Sequence, residues 1–249
     1  MKRRFLLSAA SALALGTGLS LGQETETLKV FVFAGQSNMV GMRSESGELP
    51  DSMGKPNPKA LFWTGEGWDS LAPGVSQEKG FGPEISFAHA WTERTGETIG
   101  IIKHSVGGTS LATQWLPEVK YSLFQKLEAK VEAAKDSRPI EIVGMLWMQG
   151  ERDSREPEMA AAYEENLKHL VETARKEFGA PEMVFVAGRV NPPEGKYVAR
   201  ETVRAAQKNL ELKGYRWIDC DDLSLGPDHL HYDTAGIVEM GRRFAEAAK

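Results

Sequence analysis

Leu28-Lys29-Val30-Phe31-Val32-Phe33-Ala34 runs directly into Gly35-Gln36-Ser37-Asn38-Met39, and that junction decides the fold class. The first seven residues are nearly all apolar and rich in β-branched and aromatic side chains, the composition of a strand buried on both faces of a parallel sheet. The glycine permits a tight turn and close backbone approach at the strand's end. Open α/β sheets bind and transform ligands at the carboxyl ends of their strands, which makes Ser37 a candidate nucleophile. Serine is also a favoured helix N-cap, and the junction by itself does not choose between the two roles.

Working outward, strands and helices alternate. Strands are predicted over 98–104, 140–148, 183–188 and 215–219, and helices over about 84–95, 119–135, 158–178, 197–212 and 234–248. With the strand at 28–34 this gives five parallel strands covered by helices on both faces, a three-layer α/β/α sandwich. The stretch 41–83 is rich in Gly, Pro and Ser and reads as a long irregular segment, of the kind that in a compact domain is usually functional or disordered. It carries Phe62, Trp63 and Trp68. With Trp115 these offer aromatic faces to sugar rings, or else pack the loops onto the core.

A serine hydroxyl needs an adjacent base to become a nucleophile, and a carboxylate to orient that base and stabilise its charged form. Asp228-His229-Leu230-His231 near the C-terminus supplies both. Of the five histidines, His89 and His169 fall in helical patterns, and His104 ends a strand with no acid beside it. His229 directly follows Asp228, and adjacent side chains on an extended segment point apart. His231 is therefore the preferred base, on a loop that Gly226-Pro227 can turn. Acyl transfer also needs donors for the developing oxyanion. Gly107-Gly108 after one strand can aim backbone amides without a Cβ in the way, and Gln149 after another can present a side-chain amide. Ordinary turn and helix-terminus roles are the alternatives for each.

Four blocks, GQSNM (35–39), GGTSL (107–111), WMQGERD (147–153) and DHLHYDTAG (228–236), occur in an order that resembles the SGNH (GDSL-type) hydrolases. More narrowly, the chain resembles the branch holding sialate O-acetylesterase-like domains and the acetylxylan esterases of carbohydrate esterase family six. The likeness runs from Leu28 nearly to the C-terminus. It implies a flavodoxin-like SGNH fold with Ser37 as nucleophile, His231 as base and Asp228 as its orienting acid. The amides of Ser37 and Gly108 and the side chain of Gln149 would form the oxyanion hole. Gln36, Asn38, Glu151, Trp115 and Arg189 are the candidate substrate contacts, with a structural hydrogen bond or salt bridge as the other role for Glu151. The implied activity is removal of O-acetyl groups from carbohydrate. A generic short-chain lipid or aryl esterase and a catalytically silent carbohydrate-binding domain are the alternatives, and the intact Ser, Asp and His speak against silence.

Composition bounds the rest. The 249 residues suit one α/β domain over 23–249. Residues 1–22 read as a signal peptide: Lys2-Arg3-Arg4, an apolar stretch from Phe5 to Leu15, then small residues to Gly22. An uncleaved anchor is the alternative, although the apolar stretch is short for a span. The expectation is therefore a secreted or periplasmic protein with no stable membrane insertion after cleavage. The net charge of −5 argues against a nucleic-acid partner. The single cysteine, Cys220, precludes an intrachain disulfide and reads as a buried, inert thiol. No metal-ligand spacing or phosphate loop is present, and serine acyl transfer requires no cofactor.

Overall fold

The computed structural model describes residues 26–77 and 80–249; the expected leader at 1–22 lies outside them. In chain order the main elements are β1 (Leu28–Gly35), α1 (Ser37–Val40), β2 (Ala60–Trp63), β3 (Trp68–Ser70), α2 (Glu84–Thr95), β4 (Ile99–Ser105) and α3 (Leu123–Ser137). They continue with β5 (Ile140–Met148), α4 (Pro157–Ala161), α5 (Tyr163–Glu177), β6 (Val184–Gly188), α6 (Arg200–Asn209), β7 (Tyr215–Ile218) and α7 (Thr234–Ala247). Seven strands form one sheet in the order β3-β2-β4-β1-β5-β6-β7, parallel except for β3 against β2.

The two strands beyond the five expected both come from the stretch 41–83. Ala60-Leu61-Phe62-Trp63 joins the edge of β4 in parallel, then Thr64 to Gly67 turn the chain back so that Trp63 pairs with Trp68. Each strand is four residues or fewer, too short for the apolar alternation that signals a strand. Phe62 and Trp63 are buried in the core and do not face a ligand.

β1 is the central strand, with β4 on one side and β5 on the other. Its side chains are divided between two helical layers. Phe31 stands edge-on to Phe87 and Trp91 of α2, with ring centroids 4.8 and 4.6 Å away, and α2 packs against α7. The opposite face carries Trp147, which meets Trp115 and Phe185 beneath α3, α5 and α6. This is the expected three-layer sandwich. Each fully buried aromatic contributes on the order of 2–3 kcal/mol of transfer free energy, so the layers are held mainly by apolar burial.

Helix boundaries shift where capping decides them. α3 begins at Leu123 because Ser122 caps it, accepting from the Gln125 amide at 3.1 Å. The long helix expected over 158–178 breaks at Ala162, which places the Tyr163 hydroxyl beneath the end of β5. Among the described residues no helix is long and apolar enough to cross a membrane.

Candidate active site

Chain connections leave β1 in opposite directions, toward β4 and toward β5. The carboxyl ends of these three strands therefore flank a topological switch point, where ligands bind in open α/β sheets. Gly35 ends β1 at φ +145°, and a Cβ there would lie 2.1 Å from the Met148 carbonyl oxygen at the end of β5. Only glycine lets the two strand ends meet this closely. The Gln36 amide then donates to that same carbonyl at 2.9 Å, and the chain enters the single turn α1 with Ser37 at its start. Gly41, at φ +90°, ends that turn.

The base arrives on a short loop between Leu225 and Tyr232, which pair across its neck. Asp228 organises this loop. Its Oδ1 accepts the amides of Leu230 and His231 at 3.1 and 2.9 Å, and its Oδ2 lies 2.9 Å from His231 Nδ1. Arg43 Nε donates to the same Oδ2 at 3.1 Å. Burial pushes the Asp228 carboxyl up, but the His231 amide and ring, the Leu230 amide and Arg43 together hold it well below the usual carboxylate range. An ionised carboxylate only accepts, so His231 Nδ1 carries the proton and Nε2 is left as acceptor. Nε2 lies 3.0 Å from Ser37 Oγ, which donates to it. His229, at φ +53°, is exposed and does not line the cavity beside Ser37.

Asn38 fixes the loop from beneath. Its Nδ2 donates to the Leu230 carbonyl at 3.2 Å and its Oδ1 accepts the Tyr232 amide at 3.1 Å, so it grips both neighbours of His231. The same Nδ2 donates to Glu151 Oε1 at 2.7 Å. Asn38 is thus a positioning residue and does not line the cavity.

Beside Ser37 is a cavity of about 290 Å³, lined also by Met42, Gly107, Gly108 and His231. A Cβ on Gly107 would lie 3.7 Å from that of Ser37, so the glycine pair presses against the nucleophile. Gly108 sits at φ +72°. Among the described residues neither the Ser37 nor the Gly108 amide donates to a protein acceptor, which leaves both for an oxyanion. A larger depression of 530 Å³ opens at the other edge of the sheet, between Ile140 and Met183, and holds no nucleophile beside a base.

A serine, a histidine and an aspartate in line, with two amides alongside that donate to no protein acceptor among the described residues, match the arrangement that serine ester hydrolysis requires. Residues 27–249 match the model of the family described as "Carbohydrate esterase, sialic acid-specific acetylesterase". The chain belongs to that family. It is a carboxylic ester hydrolase of the carbohydrate acetylesterase kind. A probable carbohydrate esterase of Arabidopsis thaliana is 27% identical over 240 residues, covering 88% of this chain and 89% of the relative. The crystal structure of that plant protein superposes with a TM-score of 0.79 at 24% identity, over 89% of this chain and 98% of that one. NanS follows with a TM-score of 0.70 at 18% identity, over 89% and 96% of the two chains. A carbohydrate acetylesterase from Xanthomonas citri gives 0.66 at 19%, over 88% of this chain and 55% of that one. These likenesses support the fold.

The esterase fold gives the remaining candidates other work. Gln149, expected in the oxyanion hole, is fully buried. Its Nε2 donates to the Thr109 carbonyl at 2.9 Å and Asp153 Oδ2 at 2.6 Å, which uses both its hydrogens. Asp153 in turn accepts the amides of Leu111 and Ala112 at 3.0 and 3.1 Å. Gln149 and Asp153 therefore brace the glycine loop from behind. Trp115, expected to meet sugar, is fully buried and donates to Thr109 Oγ1 at 3.0 Å. Arg189 is occupied by Asp219 and Asp221 at 2.8 and 2.6 Å and does not line the cavity. Gln36 and Glu151 do line it. Burial pushes the Glu151 carboxyl up, and its Oε2 has no hydrogen-bond partner. Burial also pushes the Cys220 thiol well up, so it is no thiolate nucleophile.

Tyr197 and Arg155 line the cavity without having been singled out from the sequence. Arg155 lies two residues past the QGERD block, where spacing along a strand-to-helix turn could have flagged it. Tyr197 comes from a Pro- and Gly-rich loop that carries no such signal.

The brace role predicts that Gln149→Ala lowers stability by about 2–4 kcal/mol, since it leaves the Thr109 carbonyl, Asp153 and Tyr163 short of partners in the core. A kcat in the folded fraction within about tenfold of the parent, measured with the melting temperature on one preparation, is the expected companion result. A hundredfold loss of kcat at unchanged melting temperature would return Gln149 to the oxyanion hole.

His104 packs edge-on to Trp115 with centroids 5.8 Å apart, away from the base. Burial, with Lys130 and Lys126 adding repulsion, pushes it down to about 4. The unfolded chain then binds a proton between about pH 6.5 and pH 4 that the folded protein refuses, so stability falls as pH drops through that window and is flat above it for this group. With partial exposure the loss is about 1–2 kcal/mol. His104→Gln should flatten this slope in urea unfolding at pH 4.5 and 7.5; an identical slope in both proteins would disprove it.

Proposed function

We propose that the protein removes O-acetyl groups from carbohydrate through an acyl-enzyme on Ser37, and that it does so outside the cytoplasm. The observation that carries this reading is the unbroken line from Ser37 Oγ through His231 to Asp228, at 3.0 and 2.9 Å. As Ser37 Oγ attacks the acetyl carbonyl, its proton passes to His231 Nε2, and Asp228 stabilises the imidazolium. The carbonyl oxygen becomes an oxyanion between the amides of Ser37 and Gly108. The tetrahedral intermediate expels the sugar oxygen, which takes the proton back from Nε2. Water then adds to the acetyl-serine by the same route, releasing acetate and restoring the serine. Family membership supports carbohydrate as the leaving group, and the composition of residues 1–22 supports export.

The test is acetate release from a panel of O-acetylated polysaccharides and sialosides, with mass spectrometry of the deacetylated product. Release at a rate far above that from simple lipid esters is expected. Turnover of lipid or aryl acetates alone would replace the carbohydrate reading. A secreted product beginning at Gln23 is expected in a cell-fractionation experiment, and retention in the cytoplasm would exclude export.

A further inference from the structure

Loop 106–109 is a wall with a hollow on each side. Gly107 and Gly108 line the Ser37 cavity, whereas Val106 and Thr109 line a second hollow of about 330 Å³. Thr113, Gln114 and residues from the segment 119–126 complete that second hollow, and none of them enters the chemistry above.

Tyr121 lines this hollow and is 74% exposed, with its backbone at φ +62°. The left-handed region is disfavoured for a bulky side chain and ordinarily falls to glycine or asparagine. The turn itself is well built. The Tyr121 amide donates to Gln125 Oε1 at 2.8 Å, Gln125 Nε2 donates to the Pro117 carbonyl at 2.9 Å, and Ser122 caps α3. Glycine or asparagine at 121 would make the same bonds with less strain, and the exposed ring gains little from burial. Neither the turn nor the core accounts for the tyrosine, and strain of this kind points to function. The Lys120 ammonium lies 4.8 Å from the ring centre, which steadies the ring from one face and leaves the other to solvent.

Among the described residues the large apolar side chains that stand exposed are Met42, Val75, Val106, Tyr121 and Val198. Met42 lines the Ser37 cavity, and Val198 follows Tyr197 of its wall. With Val106 and Tyr121 on the second hollow, four of these five border the two hollows, and apolar groups gathered in this way mark a ligand surface. Polar groups are interleaved with them. Thr113 and Lys126 are exposed, and Gln114 gives its carbonyl oxygen to the Ser110 amide at 2.8 Å, which leaves its NH2 to a ligand. An aromatic ring flanked by hydroxyl, amide and ammonium groups suits a pyranose, whose C–H face lies on the ring while its hydroxyls meet the polar edge. A lipid chain in the same place would cover those groups without pairing them.

We infer that the second hollow is a subsite for a further ring of an oligomeric glycan, with Tyr121 as its stacking platform, so that O-acetylated oligosaccharides are preferred over single sugars. This rests on the acetylesterase reading of the Ser37 cavity. Ligand sites usually run from about 300 to 1,000 Å³. The Ser37 cavity, at about 290 Å³, takes the acetyl group and its own ring. The rest of the glycan crosses the glycine loop, where the missing side chains of Gly107 and Gly108 leave the wall low.

The experiment measures kcat/KM for substrates of one to four rings, acetylated on the terminal ring, in a β-linked xylose series and a sialoside series. In the parent kcat/KM should rise about tenfold between one ring and the length that reaches Tyr121, the size of one stacked ring. The rise should be carried by KM, because the contact is the same in ground and transition states. The series that shows it identifies the source. Tyr121→Asn keeps the left-handed turn and removes the ring. It should leave single-ring kcat/KM within about twofold and bring the length ratio close to one, while Tyr121→Phe keeps the rise. A tyrosine that serves the turn alone would shift the melting temperature and leave the length ratio untouched in Tyr121→Asn, which overturns the inference. A parent ratio near one in both series overturns it too, as does a preference for micellar lipid esters that Tyr121→Asn abolishes. Calorimetry with Ser37→Ala and the unacetylated four-ring glycans reads the same contact without turnover, and adding Tyr121→Asn should abolish that heat. Failure of the parent to turn over any acetyl ester would instead overturn the acetylesterase reading, and the calorimetric arm would still decide the role of Tyr121. Should Tyr121→Asn not fold, Tyr121→Gly, which suits the same backbone, takes its place.

Discussion

Ser37→Ala is expected to lower kcat for acetyl-ester hydrolysis by at least about 10⁴-fold while leaving the fold intact. In the proposed mechanism the hydroxyl is the atom to which the acetyl group is transferred, so its removal takes away the bond-forming atom. The stability cost is small because the methyl group of alanine fits where the serine Cβ already sits. The lost hydrogen bond to His231 joins the buried Ser37 to a partly exposed ring and is worth about 1 kcal/mol. Steady-state kinetics with a chromogenic acetate ester, read beside the melting temperature, checks both halves. A serine-directed phosphonate should label Ser37 in the parent and nothing in the variant. Activity within tenfold of the parent in a folded Ser37→Ala protein would mean that another nucleophile does the work.

Loss of the base should be nearly as severe. His231→Ala is expected to cost about 10³- to 10⁵-fold in kcat, and to add little when combined with Ser37→Ala, because nucleophile and base act as a unit. The informative control is His229, two residues away and exposed. Its left-handed backbone, at φ +53°, makes alanine a poor probe there, since a Cβ residue without a local polar contact is disfavoured in that region. His229→Asn tolerates the conformation and should keep kcat within about threefold. If His229→Asn were the variant that lost activity, the loop would have to rearrange before catalysis and Asp228 would serve a different ring.

The two histidines show what could be read from a string of residues. Adjacent side chains diverge, so the spacing Asp228–His231 singled out His231, and the structure closes that gap to 2.9 Å by a turn that Asp228 itself caps. Ser37 and the glycine pair were legible for the same reason. Each lies within a few residues of a strand end, and local chemistry fixes a turn. The strands β1, β4, β5 and β6 were legible because buried parallel strands announce themselves as apolar runs.

Gln149 and Trp115 were misplaced because residues distant in sequence determine what a side chain faces. The Gln149 amide was placed at the correct strand end, yet its direction is set by the Thr109 carbonyl, 40 positions upstream, and by the Asp153 carboxylate. Trp115 carries no mark of burial; it is enclosed because Trp147 stands 5.0 Å away on the face of β5. Arg189 looked free until Asp219 and Asp221 from the next strand end reached it. The β2–β3 pair escaped notice since its stability comes from the waiting edge of β4, with too few residues of its own to show a period.

The sequence by itself marked five strands of the sheet and singled out Ser37, Asp228 and His231 as candidates, because those depend on periodicity and on turns of a few residues. Which polar groups point into the cavity and which only brace it were decided by the tertiary structure alone. Hydrogen-bond direction and desolvation depend on partners that only the folded chain brings within 3 or 4 Å, and burial leaves each such group with one arrangement in which its donors and acceptors are met.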